Sequence, residues 1–315
     1  MANYPIGEGV KSGGFAVVLC ARENAFEVQA RRCTRWRRSA WTRANLVDRF
    51  AAVSTSAKGI APRGPYVTLD DFRETFGEGT PILCYHKLGR PPRSAKMRSL
   101  YVSSGLFDWQ MRQLREAGFK SRTLDVPRTN AGDSVILTFD DGSRTLMRHA
   151  LPILAQHGLR AIVFLVAGAI GGVNHWDVAA FGEAPDSLMD DADVREWLSA
   201  GHQIGAHTMS HCRLTRVGAN VAREEISASK KSLEDRFGVP VRHFCYPYGK
   251  WSQRVRDLTQ EAGFETAVTL DPGVNMCGAD PFTLQRLSVN HPQRNIRTLL
   301  RLSMARFPLR FFFQL

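Results

Sequence analysis

Two adjacent carboxylates close an apolar run in Val135-Ile136-Leu137-Thr138-Phe139-Asp140-Asp141-Gly142. Like charges this close need a cation or a perturbed pKa to be tolerated. Further along, His207-Thr208-Met209-Ser210-His211 sets two imidazoles with three residues between them, a spacing from which both rings can present a nitrogen to one ion. Joined by a carboxylate from another strand, the pair makes a two-nitrogen, one-oxygen set, as in zinc sites that keep a position open for water. Each cluster alone has an ordinary explanation, because Asp and Gly are common turn formers and surface histidines reach this spacing by chance. The joint pattern is far more specific, and it points to water activation at a divalent centre.

Such a centre requires elements that deliver the two clusters to one place. Neighbouring strand side chains face opposite ways, so Asp140 and Asp141 can serve one site only where the strand stops and turns, which Gly142 permits. Alternating βα folds place their chemistry at that C-terminal mouth. The rest of the chain supplies the alternation. Strands are predicted at Ile82–Tyr85, from Val135, over Ala161–Val166, Gln203–Ala206, Val241–Cys245, Thr266–Leu270 and Thr283–Val289. Helix periodicity covers Leu106–Ala117, Leu146–His157 with a bend at Pro152, Asp193–Ala200, Asn220–Phe237 and Gln253–Ala262. Short apolar runs between amphipathic helices predict an α/β domain with a parallel core of barrel type.

The chain of 315 residues has a formal net charge of +12, but the charge is uneven. Residues 1–65 hold 11 Lys or Arg against 4 acids, a net of +7 that leaves +5 for everything else. Arg31, Arg32, Arg35, Arg37 and Arg38 interleave with Trp36 and Trp41. Arg beside Trp can bind nucleic acid; with no recognisable nucleic-acid motif, the segment is read as a poorly ordered basic extension with a linker from Ser54 to Pro65. The six cysteines are scattered and suit a reducing compartment. No clear signal peptide and no run of transmembrane length is present, which predicts a cytoplasmic protein. Residues 294–315 carry five arginines and no acid. They read as a basic amphipathic helix whose Leu299, Leu300 and Leu302 pack on the barrel, with membrane contact as the minor alternative.

Taken in order, Leu137-Thr138-Phe139-Asp140-Asp141-Gly142, His207-Thr208-Met209-Ser210-His211 and Phe244-Cys245-Tyr246-Pro247-Tyr248-Gly249 resemble the first three motifs of the polysaccharide deacetylase family, the NodB-homology domain of carbohydrate esterase family four. The resemblance implies a distorted, incomplete (β/α) barrel, assigned to residues 66–293. It also implies a metal-dependent hydrolase that removes N-acetyl groups from amino sugars of an oligo- or polysaccharide. Carried over by position, Asp141, His207 and His211 bind the divalent metal, expected to be Zn2+, Asp140 is the base, and the Tyr248 N–H stabilises the oxyanion. Cys245 stands where many members carry the arginine that orients the base, so that contact is absent or comes from elsewhere. A fourth-motif Asp-x-Trp is not evident near Asp271-Pro272-Gly273.

The remaining site candidates rest on position. His291, after Leu287-Ser288-Val289-Asn290, is assigned as general acid, and His86 is a second candidate at a barrel mouth. Trp176, in a loop after Gly171-Gly172, either lines a sugar cleft or anchors its loop by packing, and one of Tyr246 and Tyr248 is expected to contact substrate. His202 reads as a core or capping residue, and Cys212 as a small buried one. Two other classes compete: a carbohydrate-binding relative without catalysis, and a hydrolase of another non-peptide C–N bond.

Overall fold

The computed structural model describes residues 68–124 and 132–290, all within the unit Ala61–Leu315. The basic extension and linker of residues 1–65, the C-terminal helix assigned to 294–315, and His291 lie outside the described residues.

The sheet is built from strands too apolar to be exposed on either face. After helix α1 (Leu69–Phe76) come β1 (Ile82–Tyr85), the paired short strands β2 (Lys87–Leu88) and β3 (Tyr101–Val102), helix α2 (Ser104–Glu116) and β4 (Lys120–Ser121). Next follow β5 (Ser134–Phe139), α3 (Thr145–His149), α4 (Leu151–His157), β6 (Ile162–Leu165), α5 (His175–Phe181) and α6 (Asp191–Ser199). The domain continues with β7 (Gln203–Ala206), α7 (Ala219–Phe237), β8 (His243–Cys245), α8 (Gln253–Glu261), β9 (Thr266–Val268) and β10 (Leu287–Ser288). The main sheet runs β10-β1-β5-β6-β7-β8-β9, with β4 beside β5, and its pairings are parallel. A single parallel bridge, Val268 to Leu284, ties β9 to the segment that leads into β10. The curled sheet is thus the expected distorted, incomplete barrel.

Strand alternation sorts the core into two layers. Ile82, Ile136, Ile162, Phe164, Cys245, Val268 and Leu284 form one cluster, inside the curl. Leu83, Leu137, Phe139, Val163, Leu165, Ala206 and Phe244 point the other way and pack against the helices, where Leu114, Leu154, Trp197, Ile226 and Leu258 meet them. Gly205 is required on the inner face of β7, since a Cβ there would lie 2.5 Å from the Phe164 ring. Ser103 caps α2 by accepting from Leu106 N at 3.2 Å, and Asp190 and Asp193 form a reciprocal capping box on α6.

Three expectations change. The helix over Leu146–His157 is two helices broken at Ala150, because Pro152 in the first turn of α4 has no N–H for the preceding turn. Trp176 lies on helix α5 rather than in a loop. The strand over Thr283–Val289 contracts to β10, because Arg286 donates through Nε to Thr269 O at 2.7 Å and draws the chain inward. No described helix is long and apolar enough to cross a membrane.

Candidate active site

Asp140 has the same parity as Ile136 and Thr138 and continues their inward face. Asp141 would face outward on a regular strand, but its φ of +72° turns it toward the mouth, and Gly142 follows at +74°. A side chain at Gly142 would come within 2.7 Å of Leu165 Cδ2. Glycine there serves both the turn and the close packing.

The histidine cluster is a loop held from two sides. Ala167 and Gly168 donate to Thr208 O and Met209 O at 3.0 and 2.9 Å. On α7, Glu225 Oε2 accepts from Met209 N and Ser210 N at 3.0 and 2.9 Å, and Oε1 from Ser210 Oγ at 2.7 Å. Inside the loop, Thr208 Oγ1 accepts from His211 N at 2.9 Å. His207 donates through Nδ1 to Cys245 O at 2.7 Å, which fixes its tautomer and leaves Nε2 free as a ligand.

The result is a buried N2O set. His207 Nε2 and His211 Nε2 lie 3.6 and 3.4 Å from Asp141 Oδ1, and one ligand atom from each residue falls within 4.8 Å of the others. Burial lowers both imidazoles below 6.5, His211 further because His207 is beside it. They are therefore neutral, the form that binds a metal. Burial, then Asp177 and Asp140, push the Asp141 carboxyl well above its usual value. A buried carboxylate short of counter-charge facing two neutral imidazoles is a donor set that a divalent cation completes. The three residues fit such an ion.

Asp140 is held differently. Arg286, fully buried, donates through Nη1 to Oδ1 at 2.8 Å and through Nη2 to Oδ2 at 2.7 Å, a two-point fork. Burial would raise this carboxyl, but the guanidinium overrides it and holds Asp140 well below the usual carboxylate range. Two thiols complete the shell. Cys84 Sγ and Cys245 Sγ lie 3.5 and 3.4 Å from Oδ2. The arginine that Cys245 displaces from the third motif is supplied by Arg286, on the segment between β9 and β10. Sequence reasoning missed it, although a charged side chain two residues after the inward Leu284 is the signal that a buried partner exists.

The other candidates divide. Trp176 stacks on His211, with centroids 4.6 Å apart and planes at 26°, and lines a cleft of about 450 Å³ with Phe181, Arg213, Arg216 and Tyr248. Tyr248 sits 4.6 Å from the His211 ring. Tyr246 is a correction: it is fully buried and its hydroxyl donates to Phe282 O at 3.0 Å, so it faces the core and not a sugar. His86 reaches the mouth with Nε2 3.9 Å from Asp140 Oδ2, and burial lowers its imidazole to about 4. His202 is a core residue, its ring 4.3 Å from that of Trp197. Cys212 is partly exposed on the cleft wall, outside the Asp141 cluster.

Comparison with known proteins bears on the family and the fold. The polysaccharide deacetylase family model matches residues 128–267. Bacillus subtilis YxkH, which carries the same family name, is 24% identical over 217 residues, covering 67% of this chain and 71% of that protein. A chitooligosaccharide deacetylase of Sinorhizobium fredii is 29% identical over 143 residues, 44% of this chain and 58% of that enzyme, so the match spans little more than half of the rhizobial protein. The solved structure of IcaB from Ammonifex degensii superposes with a TM-score of 0.60 at 24% identity, covering 71% of this chain and 97% of that one, and shares its fold. Residues 128–267, which hold the three motifs in order around one buried centre, thus match the polysaccharide deacetylase family model, and the barrel is similar in fold to IcaB.

Proposed function

We propose that this protein is a metal-dependent hydrolase that removes acetyl groups from N-acetylated amino sugars of an oligo- or polysaccharide. The observation that carries the reading is the convergence of a buried Asp141-His207-His211 donor set, its imidazoles neutral, beside a second carboxylate, Asp140, kept ionised by the Arg286 fork. Asp141, His207 and His211 would hold the divalent cation, with zinc favoured by the N2O set. When bound, that ion supplies Lewis acidity for the acetyl carbonyl and a lowered pKa for water.

The chain's own residues do the rest. Asp140, oriented by the Arg286 fork, accepts the proton that water loses as its oxygen attacks the carbonyl carbon. The Tyr248 N–H, which has no backbone acceptor among the described residues, donates to the developing oxyanion. The φ of +59° at Tyr248 belongs to the turn that presents this N–H. As the C–N bond breaks, acetate departs and the amine takes a proton. His86, beside Asp140, stands on the route by which the proton taken up by the base returns. Trp176 and Phe181 give the cleft aromatic surface of the kind that pyranose C–H groups pack against.

The test separates ligand from base. Alanine at Asp141 or His211 should abolish bound metal and acetate release from N-acetylglucosamine oligomers together. Asp140→Asn should keep the metal and lose turnover. Full turnover in Asp140→Asn refutes the assignment of the base, and a metal-loaded protein that releases no acetate from any N-acetylated sugar refutes the activity.

A further inference from the structure

The cleft beside the histidine loop carries a charge that a neutral acetylated sugar has no use for. Two of its lining residues are Arg213 and Arg216, and none is acidic. Arg213 caps and Arg216 ends the one 3-10 turn Leu214–Arg216, and residues i and i+3 of such a turn eclipse and share a side. Arg213 is half-buried and Arg216 exposed. The Arg213 guanidinium lies over the Tyr248 ring at 4.7 Å, and Tyr248 in turn touches His211, so the charge sits two ring contacts from a metal ligand. Neither guanidinium has a hydrogen bond or ion pair with a described residue.

The acid that clamps the histidine loop does not answer them. Glu225 spends both oxygens on Met209 N, Ser210 N and Ser210 Oγ. Asp177, next in the chain to the lining residue Trp176, is buried and accepts from Asn174 Nδ2 at 3.2 Å. Two like charges on one turn repel unless an anion lies between them, and a planar guanidinium fixed on a ring presents a fork suited to phosphate or carboxylate. Resting on the deacetylase reading, we propose that the acetamido sugar removed of its acetyl group here carries an anionic substituent, phosphate or carboxylate, and that Arg213 and Arg216 bind it.

Three probes test this on metal-loaded full-length protein: a neutral chitooligosaccharide, N-acetylglucosamine 1-phosphate and N-acetylmuramic acid. Acetate release gives kcat/KM, and calorimetry on metal-loaded Asp140→Asn gives binding without turnover. At least one anionic probe should exceed the neutral one roughly tenfold, an advantage that shrinks with added salt, and the phosphate and carboxylate arms identify which group is read. Arg213→Ala/Arg216→Ala should lower the anionic-to-neutral ratio by about tenfold with metal content retained, and Arg213→Lys/Arg216→Lys should restore part of it. Equal binding of neutral and anionic probes, or a ratio unmoved by the alanines, overturns the arginine site. Anionic preference in binding with no acetate from any probe upholds the site and counts against the deacetylase reading instead.

Discussion

Arg286→Leu is the substitution that most directly tests how the base is held. It removes the cation from a carboxylate that is only 2% exposed and leaves two thiols as the remaining donors near Oδ2. Breaking a buried ion pair from one side costs about 3–5 kcal/mol, which for a domain of this size lowers Tm by roughly 6–20 °C. The pH dependence has a definite sign. With Arg286 present the Asp140 carboxyl lies below its ordinary value of 3.8, so its contribution to stability is complete above about pH 4 and is lost as pH falls through the native value. In the variant the main opposition to burial, the guanidinium, is gone and the same carboxyl rises, so acid favours the variant's native state. Urea unfolding at pH 7 and pH 4 should therefore show a wide gap between the two proteins at pH 7 that narrows at pH 4. At pH 7 turnover should fall about a hundredfold, from a base both misplaced and partly protonated, and recover in part toward pH 9. Metal content should remain. Arg286→Lys, which keeps charge but loses the fork, should fall between the two. An Arg286→Leu protein with native stability and native turnover at pH 7 would refute the role assigned to the fork.

Two further outcomes follow from the same site. Glu225→Ala removes the acceptor that pins the loop between His207 and His211, and metal affinity measured by competition with a chelator should weaken by about 10–100-fold, with Glu225→Gln recovering part. In metal-free protein, His86 and His202 are lowered to about 4, and His207 and His211 also lie below 6.5, all with burial as the largest cause. Asp141 and Asp177, raised above 3.8, act in the opposite sense, but the four imidazoles outnumber them, so the unfolded chain binds more protons below pH 6.5 and the urea midpoint should drop as pH falls from 6.5 toward 4; a flat profile in an Asp141→Asn/Asp177→Asn background would contradict the neutral, buried imidazoles.

What the sequence discloses is set by how local each feature is. The strands at Ile82, Val135 and Ile162 are legible because both faces are buried and every position must be apolar, and the three motifs are legible because their side chains are fixed by short stretches. Arg286 is not local. It reaches Asp140 only because Leu287 registers with Leu83 and Ile82 with Ile136, pairings between segments far apart in the chain. Helix α5 is obscured for a similar reason, since its start after Gly171-Gly172 looks like a loop until Trp176 is seen packed with Val166 and Leu188. Tyr246 and Tyr248 are two residues apart and look equivalent. A left-handed Tyr248 places one ring at the cleft and leaves the other in the core.

That last contrast extends to the whole site. Among the described residues, the non-glycine positions with positive φ are Asp141, Thr208, His211 and Tyr248, each of them at the centre, inside its histidine loop or lining its cleft. Backbone of this kind costs about 1–3 kcal/mol per residue, and Thr208, being β-branched, is among the least tolerant. The expense has a geometric cause. Regular strands send odd and even positions to opposite faces, so a barrel that keeps Asp140 on its inner face can bring Asp141 to the same centre only by reversing the handedness of one residue. The histidine loop meets a similar demand in five residues, and it makes two such reversals, at Thr208 and His211. The supports found around it, Glu225 from α7, the Ala167 and Gly168 amides and the Cys245 carbonyl, hold conformations the loop would not keep alone. Strain and clamp are therefore one device, and a change that relaxes either should be read first in metal affinity and only second in the stability of the barrel.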